Sequence, residues 1–129
     1  MIATLLILLV WQDGTGPINL RGQCQYSDAV TRFRDETSLV LCNTLAIDRR
    51  EEIATFDFGQ RSWGSMISFS GEISGRRMTV RNLRLRVGNS VPATGTCEIF
   101  YKGEKVSVVS CFAKAGSRSY ATNFVPSPL

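Results

Sequence analysis

Histidine is absent from the 129 residues of the chain. That removes the ordinary general base near neutral pH, the commonest metal ligand and every His-dependent nucleophilic triad. Closely spaced cysteines are missing too. Cys24, Cys42, Cys97 and Cys111 lie far apart, with neither the close pairs of a zinc site nor a redox C-x-x-C. No P-loop, dinucleotide fingerprint, nucleophile elbow, EF-hand loop or N-x-[ST] sequon occurs. No helical periodicity in the body of the chain is long enough for an amphipathic helix, and no internal repeat is evident. Only paired carboxylates or a Ser–Lys arrangement would be left to a catalyst. A non-catalytic protein without cofactor or metal is therefore the expectation.

What is present is a chain of one-domain length with 43% hydrophobic residues, enough for a single modest core. Abundant Gly, Ser and Thr suit a β protein with frequent turns. The net charge is +4, which favours anionic partners without identifying one.

Met1–Trp11 is an almost unbroken apolar run, too short to span a bilayer as a helix. Its length fits the apolar core of an export signal, although no Lys or Arg precedes it and no A-x-A-like site follows. Residues 1–16 thus read as a signal peptide, or else as an apolar N-terminal segment packed as a strand or short helix. Residues 17–125 read as a single β domain and 126–129 as a frayed tail.

Within the domain, Ile18–Tyr26 reads as a first strand and Ser27–Glu36 as a polar loop. Ser38–Cys42 is a short apolar run whose alternation continues through Leu45 and Ile47. Asp48–Glu52 is a solvated turn with mutually compensating charges. Ile53–Phe58 places Ala54, Phe56 and Phe58 on one face, and Ile67 and Phe69 share a face of the next strand. Trp63, in the turn between them, is expected to pack on the core. In Met78–Val87 the apolar positions are first Met78 and Val80, then Leu83, Leu85 and Val87. One extra residue near Arg81-Asn82, a β-bulge, would bring both sets to one core face. Ser119–Val125 reads as a closing strand.

The stretch from Cys97 to Phe112 is a hairpin signal: two β-rich runs around a short loop with Gly103. A loop of Gly103-Glu104-Lys105, with Lys102 facing Val106, sets Cys97 opposite Cys111, Ile99 opposite Val109 and Phe100 opposite Val108. Apolar pairs then occupy both faces, which implies that both are buried inside a sandwich or barrel. An even number of cysteines on strand-like segments behind an export-like run favours disulfides. The expected pairs, Cys24–Cys42 and Cys97–Cys111, each close within a local strand pair.

The only dense basic cluster is Arg76, Arg77, Arg81, Arg84 and Arg86. Arg77, Arg81, Arg84 and Arg86 would form one outward ridge able to bind anions. As a lone strand face it reads more simply as solvated surface. No aromatic residues interleave it, which weakens a nucleic-acid reading.

The fold expected is all-β, a small antiparallel sandwich or barrel with two disulfides. The function expected is a secreted or periplasmic binding or structural module. Two rivals remain: a basic module binding anionic glycan, lipid or nucleic acid, and a carboxylate-dependent hydrolase. The partner, a protein or an anionic surface, is not fixed by the sequence.

Overall fold

A computed structural model describes residues 16–28 and 37–127. The expectation of a signal peptide at residues 1–16 falls almost wholly outside the described residues, as does most of the Ser27–Glu36 loop. Nine strands are described: β1 (Gly16–Cys24), β2 (Thr37–Leu39), β3 (Thr44–Arg50), β4 (Ile53–Gln60), β5 (Gly64–Ser74), β6 (Arg77–Leu85), β7 (Val91–Lys102), β8 (Lys105–Ala115) and β9 (Arg118–Pro126). Eight of them, all but β2, run as an antiparallel meander that closes through β1 and β9. The protein is therefore an eight-stranded barrel, and β2 is an additional strand lying parallel to β9.

Alternation along the strands explains the closure. Leu45 and Ile47, Ala54, Phe56 and Phe58, Ile67 and Phe69, Met78 and Val80, Cys97 and Ile99, and Val109, Cys111 and Phe124 all point inward and are buried. The ring of Phe58 packs edge-on against those of Phe69 and Phe124. Bulky side chains fill a small eight-stranded barrel, so this interior is a packed core. On the outer wall, polar groups pair with one another. The Asp57 carboxylate accepts from the Ser65 hydroxyl at 2.5 Å and from Ser68 at 3.0 Å.

The bulge sits where the parity switch requires it. Ser70 pairs with Asn82 and Gly71 with Val80, leaving Arg81 as the extra residue of β6. Met78, Val80 and Leu83 consequently all reach the core. Gly71 is needed opposite this bulge: a Cβ there would lie 1.8 Å from the Thr79 carbonyl oxygen.

Both disulfides form as the sequence indicates, Cys24–Cys42 and Cys97–Cys111. Cys97 and Cys111 face each other across β7 and β8, with Ile99 opposite Val109 and Phe100 opposite Val108. The turn is tighter than the three-residue loop expected: Lys102 pairs with Lys105, and the register shifts between Phe100 and Tyr101. A two-residue loop plus a bulge on β8 preserves the cysteine register. The other face of this hairpin is also not interior. Phe100 and Phe112 are 44% and 52% exposed, because a barrel has one inside and one outside.

Closure is partial. Only Gly22–Cys24 of β1 pair with β9, and the Ser127 N–H donates to the Arg21 carbonyl just beyond. By antiparallel alternation Asn19 and Pro17 turn their backbone polar groups the same way, toward the uncovered edge. Pro17 has no N–H to offer there, which suits an edge position.

Candidate functional site

The barrel has two chemically different ends. At the first, two-residue turns join β3 to β4, β5 to β6 and β7 to β8. The charged segment Asp48–Glu52 is part of it, and only Glu51-Glu52 form the turn. Arg49 donates to the Gly75 carbonyl at 3.1 Å, tying two of these turns together. A depression of about 760 Å³ lies beside them, and both Glu51 and Glu52 line it. Charges of both signs alternate here. Arg77 pairs with Glu98 at 2.9 Å and Arg81 with Glu72 at 2.7 Å, all at the surface. Glu51, Glu52 and Glu72 all line the depression, and Glu72 is paired with Arg81.

The far end is built from the 40–43 link, the β4–β5 turn, the connection from β6 to β7 and the β8–β9 turn at Gly116-Ser117; the first three carry the contacts described next. The Arg61 N–H donates to the Asn43 side-chain oxygen at 2.9 Å, joining the first two of these. The guanidinium of Arg86 lies over the Trp63 ring, 4.9 Å from its centroid, joining the second and third. Trp63 is 61% exposed, so it is not the core lid expected. A turn tip past the end of β4 has no sheet behind it to cover an indole.

Leu85 and Val87 also depart from expectation, at 38% and 84% exposed. Strand β6 ends at Leu85, so the alternation that buries Leu83 runs out at the barrel mouth. With Leu41 at 68% and Val91 at 42% exposed, they give this end an apolar crest.

The four arginines of the expected ridge are thus divided. Arg77 and Arg81 sit toward the first end with acidic partners. Arg84 is exposed and, among the described residues, unpaired. Arg86 has left the strand and stacks on Trp63. Arg61, Arg84 and Arg86 belong to the far end and form no ion pair among the described residues, while Asp57 reaches this end through the hydroxyls of Ser65 and Ser68. The aromatic partner missing from the arginine segment is supplied from another turn, Trp63 being more than twenty positions away from Arg86. Sequence periodicity has no access to that juxtaposition.

This end offers guanidinium donors, an indole face and aliphatic surface. Among the described residues no cluster of metal-ligating side chains occurs, and no helix is long and apolar enough to cross a membrane. The fold and this site define a class, a small disulfide-bonded β-barrel with a cationic, apolar rim. No protein family, curated protein or solved structure matches the chain.

Proposed function

We propose that the protein is a non-catalytic binding module of an oxidising compartment, secreted or periplasmic, that engages an anionic partner through the far end of its barrel. The observation that carries the reading is the division of charge between the two ends. At the first end Arg77 and Arg81 are paired with Glu98 and Glu72 and Arg76 lies over the Tyr101 ring, whereas at the far end Arg84 and Arg86 have no ion-pair partner among the described residues and Arg86 lies over Trp63 beside exposed aliphatic side chains. Guanidinium groups without acidic neighbours keep their full attraction for carboxylate, sulfate or phosphate. The core is filled by phenylalanine side chains, which leaves ligand recognition to the outside. Two disulfides support the oxidising compartment, and the apolar run Met1–Trp11 supports export.

Retention on immobilised heparin, eluted by a salt gradient, tests the reading. Replacing Arg61, Arg84 and Arg86 by Glu should lower the elution salt markedly, because fewer counterions are exchanged. Replacing Arg77 and Arg81 should shift it far less. Equal shifts for the two sets, or no retention of the parent protein, would contradict the proposal.

A further inference from the structure

We infer that the anionic partner is a phospholipid bilayer, which the far end meets with Trp63, Val87 and Leu41 dipping into the interface and Arg61, Arg84 and Arg86 on the headgroups. This rests on the anionic-partner reading and adds its chemical class. The distinguishing observation is apolar. Val87 and Leu41, at 84% and 68% exposed, are among the most exposed large hydrophobic side chains of the described barrel. Both lie in connections between strands, at the same end as Trp63. Neither contributes to holding a sulfated glycan or a nucleic-acid backbone, whose recognition runs through charge and flat stacking. A bilayer uses all three kinds of group together. Indole rings favour the headgroup level, aliphatic tips enter the acyl boundary, and arginines gain from the negative surface potential.

The stacking of Arg86 on Trp63 fits the same depth. An arginine held over an indole keeps its charge close to the ring, where phosphate groups are met. The mixed charge of the opposite end, with its paired Glu72 and Glu98, gives the barrel a polarity along its axis. That polarity orients it end-on to a negative surface.

The test uses the full chain and two probes: phosphatidylcholine vesicles with and without phosphatidylserine, and immobilised heparin. Vesicles containing phosphatidylserine should bind the protein, with roughly five-fold weaker partition for each far-end arginine replaced by Gln and release by high salt. In a Trp11→Phe background, emission from Trp63 should move to the blue on binding. The discriminating variant is Leu41→Ser with Val87→Ser, which removes apolar surface without changing the charge. It should lose vesicle binding and keep its heparin elution salt. Both positions are exposed, and an unchanged thermal transition confirms the fold. Heparin retention without vesicle binding would overturn the bilayer inference and leave an anionic polymer as the partner. Vesicle binding unaffected by the Leu41/Val87 variant would overturn it as well. Failure on both probes would instead overturn the proposed function beneath it.

Discussion

Tyr26 shows how single side chains hold the barrel seam. Its hydroxyl donates to the Val40 carbonyl at 2.6 Å, with the Ala121 carbonyl at 3.1 Å. Burial pushes its phenol up to about 12, because the interior disfavours phenolate. A folded value above the unfolded value of 10.0 means that this stabilisation is fully present below pH 10 and is lost as pH rises toward 12. Thermal melts should therefore fall across that interval, and Tyr26→Phe should flatten the fall. An identical alkaline profile in both proteins would show that Tyr26 is not the group concerned. Thr122 is a different case: it is 2% exposed, and its hydroxyl has no hydrogen-bond partner. Thr122→Val keeps the shape and removes the unpaired group, so stability should rise by about 1 kcal/mol. A loss of similar size on denaturant titration would mean that the hydroxyl is satisfied by water. Glu51 adopts a φ of 57°, where the corresponding turn residue of the next hairpin is Gly75 at 62°. Left-handed backbone costs a non-glycine residue roughly 1–2 kcal/mol, partly offset by the entropy that glycine loses on folding. Glu51→Gly should accordingly be neutral or slightly stabilising, whereas a Gly75→Glu change should destabilise.

At the scale of elements, the cysteine hairpin and the bulged strand were legible because both depend on local alternation. Cys97 and Cys111 share a register fixed by the turn around Gly103, and the parity switch between Val80 and Leu83 requires one extra residue. What alternation cannot show is where a strand stops. Leu85 and Val87 continue the pattern of Leu83 in sequence, yet β6 ends at Leu85 and leaves them at the mouth. The same blindness applies to Phe100 and Phe112, since a two-sided apolar strand can be half outside a barrel. Each disulfide closes a loop of moderate length, 18 and 14 residues apart in sequence. Replacing Cys97 and Cys111 together by Ala should cost about 3 kcal/mol on the chain-entropy account, read as a lower denaturation midpoint. The bulge should be equally sensitive. Gly71→Ala drives a Cβ onto the Thr79 backbone, with an expected loss of about 1–3 kcal/mol as for other overpacking. A neutral result there would mean that β5 and β6 can separate at the bulge without cost.

For the whole molecule, the all-β class followed from composition and turn spacing, while the choice of barrel over sandwich did not. Closure depends on β9 meeting β1, strands at opposite ends of the chain, and no local signal encodes that meeting. The far-end rim is equally non-local, because Asn43, Arg61, Trp63 and Arg86 meet only through the pairing of successive strands. Binding through this rim, rather than through the core or the opposite end, is the central claim. It is tested most directly by titrating isotope-labelled protein with a heparin-derived oligosaccharide and following each backbone amide by NMR. The expected perturbations cluster at Leu41–Asn43, Arg61–Gly64 and Arg84–Val91, while Glu51, Gly75 and Glu98 stay still. Perturbations concentrated around Glu51, Gly75 and Arg77, or spread evenly over the barrel, would contradict it.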